Sequence, residues 1–259
     1  MFKKVIQNIL RLVNIAIFKK ELPSNISIYF HDISLAEKNV IIEIIEFFKY
    51  LNYKFVPISK FNDEMNSKDK IISLSFDDGF TSWLDLLPIF ERYQVKATFF
   101  MNTIQLTTDN LTEYSHRLGM TNFDQSTFID IDGLRKIINK KHEIGSHTHS
   151  HFLTKKLSKE NLTYEITKNL EILSSQQLSV RSFAIPYGMR RYIKKSQILY
   201  LKKYFDSICF GEPGMLFKHE SSKIQRYPWS IDRTFKQNIN NISTDTSIFN
   251  KVTKFSGIG

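Results

Sequence analysis

The sequence predicts an α/β fold, a largely parallel sheet closed or nearly closed into a barrel within one domain, and three observations carry that expectation. Short apolar runs of strand length alternate with segments of helical spacing over most of the chain, the pattern of parallel strands joined by helical crossovers. The alternation repeats about seven times, too often for a small open sheet. Four of the runs end in chemically capable residues, at His31-Asp32, Asp77-Asp78, His147 to His151 and Tyr187. In parallel α/β folds the C-terminal strand ends share the face on which sites are built.

After Pro23-Ser24-Asn25, the run Ile26 to Phe30 reads as a buried strand ending at His31-Asp32. Ser34 to Tyr53 carries Val40, Ile41, Ile44, Ile45, Phe47, Phe48 and Leu51 at helical spacing, Tyr53 to Ile58 reads as a second strand, and the polar stretch Asn62 to Lys70 as a loop. Ile71 to Phe76 forms the third strand. Ser75-Phe76-Asp77-Asp78-Gly79 closes it with two carboxylates and a glycine that permits a tight turn. Because neighbours at a strand end point to opposite sides, Asp77 and Asp78 are expected to have separate tasks. Thr81 or Ser82 with Asp85 reads as the cap of a helix over Ser82 to Tyr93, which Pro88 must kink or restart.

Lys96 to Met101 is the next strand. Asn102 to Phe128 is polar and irregular, a connection long enough to be a substrate-facing wall or a surface excursion with a short helix. Ile129 to Lys141 reads as a helix and Glu143 to Ser146 as a strand running into the histidines. Leu157 to Leu173 is helical with Ser158 near its cap, and Phe183 to Ile185 is a short strand ending at Pro186-Tyr187-Gly188. A helix over Tyr192 to Lys203, a strand over Phe205 to Phe210, a turn at Gly211-Glu212-Pro213-Gly214 and an extended run from Lys223 to Trp229 follow. Ser247 to Phe255 is expected to form a terminal helix stopped by Gly257.

Composition sets broad limits. With 259 residues, 42% hydrophobic and 14% aromatic, the chain can bury a sizeable core. Its lone cysteine, Cys209, rules out an internal disulfide and reads as a small buried hydrophobe. The net charge of +10 comes from scattered lysines, with no tight arginine and aromatic array, so no nucleic-acid partner is expected. Met1 to Lys20 is interrupted by Gln7, Asn8, Arg11 and Asn14 and is neither a clear signal peptide nor a membrane span. It reads as an amphipathic helix that covers the bottom of the domain or makes peripheral membrane contact. The expected location is therefore the cytoplasm or the membrane periphery. The expected division is an N-terminal amphipathic segment over 1–24, a catalytic domain over 25–235 and a polar extension over 236–259.

His147 and His151 stand four residues apart, which on one helical turn puts both imidazoles on the same side, a metal-ligand spacing. Joined by an aspartate from another strand, two nitrogens and one oxygen would hold a divalent cation and leave positions open. His149 falls on the other face and reads as supporting or structural.

At this point three motifs stand in order: Ser75 to Gly79, His147 to His151, and Phe183-Ala184-Ile185-Pro186-Tyr187-Gly188. Together they resemble the polysaccharide deacetylase family (carbohydrate esterase family 4, the NodB homology domain). Lys96 to Phe100 extends the likeness, which runs from about Ile26 to Trp229. The resemblance implies a distorted or incomplete (β/α)7-type barrel and metal-dependent removal of N-acetyl groups from an acetylated saccharide or polysaccharide. It also implies that Asp78, His147 and His151 hold the metal, that Asp77 is the general base, and that the backbone N–H of Tyr187 faces the oxyanion. The expected metal is zinc, with cobalt, nickel or manganese as alternatives.

The chain departs from the commonest pattern twice. No Leu-x-His motif follows to supply the acid, and His219 sits in a polar context that looks like a loop. The strand Ile28-Tyr29-Phe30-His31-Asp32 is similar to that of a permuted subgroup, including poly-N-acetylglucosamine deacetylases, in which the acid histidine precedes the aspartate pair, so His31 is the expected acid. Ala184 occupies the place of an arginine found in many members. Arg226 is the expected substitute to orient Asp77, with Arg181 as the alternative. Tyr227 and Trp229 read equally as sugar-stacking or core residues. Competing functions are an O-acetyl esterase or non-saccharide amidase using the same metal site, and an inactive saccharide-binding protein, whose expected mark would be a broken ligand set. Oligomeric state is left open.

Overall fold

The computed structural model describes residues 22–33, 37–65, 67–213 and 222–243. The amphipathic segment 1–20, His219 and the terminal helix expected over Ser247 to Phe255 lie outside them. The strands are β1 (Asn25–Phe30), β2 (Tyr53–Phe55), β3 (Lys70–Asp77), β4 (Thr98–Met101), β5 (Glu143–Ser146), β6 (Ser182–Ala184), β7 (Ser207–Phe210), β8 (Lys223–Gln225) and β9 (Tyr227–Pro228). The helices are α1 (Lys38–Tyr50), α2 (Ile58–Glu64), α3 (Leu87–Tyr93), α4 (Thr112–Arg117), α5 (Ile131–Asn139), α6 (Lys159–Ser175) and α7 (Lys195–Leu201), with α8 over residues 235–243.

Every pairing between named strands is parallel, in the order β8-β7-β6-β5-β4-β3-β1-β9. β8 and β9 are one extended segment divided only at Arg226. Its first half pairs with β7 (Ile208↔Lys223) and its second with β1 (Ile28↔Tyr227), so the sheet returns to its start and the barrel is nearly closed. β2 pairs only with the first half of β3, from Tyr53↔Lys70 to Phe55↔Ile72. Setting β2 aside and taking β8 with β9 leaves the seven staves of a distorted (β/α)7 barrel.

Strand alternation sorts the core. Ile26, Ile28 and Phe30 of β1 and Ile72, Leu74 and Phe76 of β3 join the large cluster that α1 and α3 cover. Phe76 stacks between Phe30 and Phe99 at centroid distances of 5.1 and 5.2 Å. Ile71, Phe100, Ala184, Cys209 and Ile224 form a second cluster with Ile58 and Phe61 of α2. Trp229 packs against Phe235 of α8 at 5.3 Å and Tyr227 is buried, which assigns both to the core.

Three local expectations are corrected and one pair of alternatives is resolved. α2 lies where an extended run and a loop were expected, because Thr98 Oγ1 and Glu143 Oε2 accept its first N–H groups, from Ile58 and Ser59, and so satisfy donors that a short polar helix would leave bare. No side chain caps the turn after the aspartate pair. Ser82 instead donates to Asp32 Oδ1 at 2.6 Å and accepts from the Ile33 N–H. Pro88 restarts rather than kinks: a 3-10 segment, Thr81–Leu86, gives way to α3 with proline in its first turn, where its missing N–H costs nothing. Residues 147–151 are a loop and not a helical turn, with φ of +67° at Thr148 and +58° at His151. Among the described residues no helix is long and apolar enough to cross a membrane.

Candidate active site

β3 delivers the two carboxylates to different places. Asp77 ends the series Ser73, Ser75, Asp77, on the side of the strand opposite the outer core. There Arg226 grips it bidentately, Nη1 to Oδ1 and Nη2 to Oδ2, both at 2.7 Å, and also donates to Ser75 Oγ at 3.1 Å. Arg226 is fully buried and Asp77 is 3% exposed. The guanidinium lies over the rings of Tyr29 and Phe100, 4.5 and 5.1 Å from their centroids. Burial works against the arginine's charge, but Asp77 outweighs it and raises the Arg226 pKa above its ordinary value. The alternative partner, Arg181, is spent on a surface pair with Asp206.

Asp78 lies beyond the strand with φ +83°, which turns its side chain away from Asp77 toward the histidine loop. Its Oδ1 is 3.2 Å from His147 Nε2 and 3.3 Å from His151 Nε2. Ligand atoms of Asp78, His147 and His151 all fall within 4.8 Å of one another, and all three residues are buried. His147 Nδ1 donates to the Ala184 carbonyl at 2.8 Å. A carbonyl can only accept, so in the neutral ring Nε2 carries the lone pair that faces Asp78.

Burial pushes the Asp78 carboxyl up, but the imidazoles of His151, His147 and His31 outweigh it and hold it below the usual carboxylate range. Burial lowers the His151 pKa to about 4. It also opposes the charge on His147, yet the hydrogen bond and charge of Asp78, the charge of Asp77 and the Ala184 carbonyl together raise that group. Asp78 Oδ1 and His151 Nδ1 are buried and take no hydrogen bond among the described residues. A buried, orphaned carboxylate oxygen facing two imidazole nitrogens fits a divalent cation, which would accept an electron pair from each of the three.

His31 follows β1, with its carbonyl accepting from Trp83 Nε1 at 2.9 Å. Its ring rests edge-on against Tyr29, its Nε2 is 3.9 Å from Asp78 Oδ2, and its side chain is 54% exposed. Tyr187 sits in a turn with φ +62°. Its ring is 4.8 Å from that of His151, and among the described residues no acceptor takes its N–H. Gly188, at φ +70°, could not carry a Cβ, which would lie 2.8 Å from the Gly211 backbone. His149 is buried and bonds Thr103 at 2.9 Å, a structural position. All seven sequence-predicted residues therefore meet at one end of the barrel. Asn102 and Tyr114 also belong to the site's framework and went unread, while Ser75, read only as the start of the aspartate motif, accepts from Arg226. Asn102, the first residue past β4, lies at a strand end and could have been found by that rule; nothing in the sequence marks Tyr114.

The sequence profile of the family described as Polysaccharide deacetylase matches residues 64–203, more than half of the chain. That span contains Asp77, Asp78, His147, His151 and Tyr187 but neither His31 nor Arg226. No curated protein matches the sequence. Solved structures share the fold. IcaB of Ammonifex degensii superposes with a TM-score of 0.67 at 13% identity over 85% of this chain and 95% of that one. The deacetylase PplD of Streptococcus pyogenes, solved with acetate, gives 0.66 at 15% over 86% and 99%. A de-N-acetylase of Aggregatibacter actinomycetemcomitans gives 0.66 at 18% over 84% and 98%. Since the profile matches more than half of the chain and covers the strand ends that carry Asp77, Asp78, His147, His151 and Tyr187, the chain belongs to the polysaccharide deacetylase family.

Proposed function

We propose that the chain removes N-acetyl groups from an acetylated saccharide polymer, releasing acetate and a free amine, with zinc held by Asp78, His147 and His151. The observation that carries this reading is the buried donor set around the orphaned Asp78 Oδ1, set beside a second carboxylate that a buried arginine holds apart from it. A cation held there would supply Lewis acidity, which lowers the pKa of water and polarises the acetyl carbonyl.

The remaining steps fall to the chain's own groups. Asp77 is the base. Arg226 occupies one lone-pair site on each of its oxygens, which leaves each oxygen another with which to accept the proton of the attacking water. The Tyr187 N–H donates to the carbonyl oxygen as it gains negative charge, from a turn already fixed in place. His31, half exposed above Asp78, gives a proton to the departing nitrogen. An amine leaves poorly unless protonated, and an imidazole in this position can supply that proton. Water adds its hydroxyl to the acetyl carbon, the C–N bond breaks, and the nitrogen takes up a proton from His31.

The test is acetate release from chitooligosaccharides, poly-N-acetylglucosamine and O-acetylated sugars in parallel. Release from the acetamido substrates supports the proposal; release from O-acetyl esters alone would replace it with an esterase.

A further inference from the structure

We propose that the segment from Asn102 to Arg117, the connection that follows β4, is a clamp that positions the metal ligands, with Tyr114 as its principal positioning residue. This rests on the metal assignment under the proposed function. Among the described residues eight non-glycine positions have positive φ. Asn52, Gln94, Lys141 and Gln177 lie just past the ends of α1, α3, α5 and α6, where a left-handed residue terminates a helix. The other four, Asp78, Thr148, His151 and Tyr187, all lie in the site. Strained backbone of this kind persists only where its surroundings over-determine it.

Part of those surroundings is α6, whose Asn169 donates to the Thr148 carbonyl at 2.6 Å and whose Glu165 Oε2 accepts from the Ser150 N–H at 2.7 Å; the rest, and every contact to the aspartate turn and the tyrosine turn described next, comes from this one segment. Tyr114, 1% exposed, donates its hydroxyl to the Asp78 carbonyl at 2.6 Å, with Asn102 Oδ1 3.0 Å away. The Asn102 amide donates to the His147 carbonyl and, at 3.3 Å, to that of Thr148. Gln105 Nε2 holds the Gly79 carbonyl at 3.0 Å. The Ile104 N–H takes the His149 carbonyl at 3.0 Å and Arg117 Nε the Ser150 carbonyl at 2.7 Å. Tyr187 donates its own hydroxyl to the Arg117 carbonyl at 3.1 Å. The segment thus reaches the aspartate turn, the histidine loop and the tyrosine turn, and Tyr114 with Asn102 forms a buried bridge between the first two. Such a bridge sets the distance between Asp78 and the two imidazoles while touching none of the ligand atoms.

The experiment compares zinc dissociation constants, by chelator competition, for wild type, Tyr114→Phe and Tyr53→Phe. Tyr53 is also buried and donates to a main-chain carbonyl, that of Pro23, at 2.6 Å, but it pairs with Lys70 at the far end of β3. Both substitutions remove one buried hydroxyl bond, so both lower the melting temperature. Tyr114→Phe is expected to weaken zinc binding about 10- to 100-fold, the usual effect of disturbing groups behind a metal ligand, while Tyr53→Phe leaves it unchanged. Unchanged affinity in Tyr114→Phe, or an equal loss in Tyr53→Phe, would overturn the clamp. If Tyr114→Phe does not fold, Gln105→Met decides, since it keeps volume but loses the donor to Gly79: weaker zinc binding supports the clamp and wild-type binding refutes it. A wild-type chain that binds no zinc would remove the metal assignment itself, a failure read before any variant is compared.

Discussion

Replacing Arg226 by methionine keeps the apolar stem and removes the guanidinium, leaving Asp77 with a buried charge and no partner. Two charge-assisted bonds of 2.7 Å and a third to Ser75 are lost from a site where the arginine is fully buried. Breaking a buried pair from one side costs about 3–5 kcal/mol, because the surviving ion remains desolvated. For a chain of this size that corresponds to roughly 6–20 °C in melting temperature. Adding Asp77→Asn to Arg226→Met removes the orphaned charge and should recover most of that loss. Urea unfolding of the wild type, both single variants and the double variant measures the cycle. A loss below about 1 kcal/mol for Arg226→Met, the value of a surface pair, would show that Arg226 does not hold Asp77 as the geometry indicates. Turnover in Arg226→Met should fall by about 10²-fold or more, the expected cost of misplacing a reacting group.

Asp77→Asn should retain metal and lose turnover, whereas His147→Ala should lose both; equal metal loss in the two would defeat the division of labour. His31→Ala should slow release from acetamido sugars far more than from an activated acetate ester, and equal rates on both relative to wild type would remove His31 as the acid. His142 lies far from the metal ligands, accepting from the Ala97 N–H at 3.2 Å between Phe90 and Phe99. Burial lowers its pKa from 6.5 to about 4, so the folded state binds its proton less readily than the unfolded one. Its stabilising effect is present above pH 6.5 and is lost as pH falls toward 4, amounting to about 3 kcal/mol at most. His142→Gln should therefore flatten the decline in stability across that window, as followed by unfolding at several pH values.

The parallel barrel was legible because its signals are local. β1 and β3 are apolar runs of strand length with a polar break at each end, and the residues past those breaks necessarily share a face. The roles within the site were legible only through the order of three motifs, since i, i+4 spacing brought His147 and His151 together for a different reason than expected: a loop with two left-handed residues, not a helix. Arg226 was reachable as the replacement for the arginine missing at Ala184, though its arrival depends on β8 and β9 breaking pairing with β7 to join β1. What stayed hidden was tertiary. α2 draws its first hydrogen-bond acceptors from Thr98 and Glu143, and Ser82 serves the His31 segment and not its own turn. Tyr114 looks in sequence like any core aromatic, because what distinguishes it is the carbonyl that happens to lie 2.6 Å from its hydroxyl.

The proposed metal-dependent deacetylation at Asp78, His147 and His151 is tested most directly by following zinc content and acetate release from poly-N-acetylglucosamine in one sample through chelation and readdition. Acetate release is expected to disappear as zinc is removed and to return when about one equivalent per chain is restored. Release that continues undiminished in the chelated, zinc-free protein would contradict it.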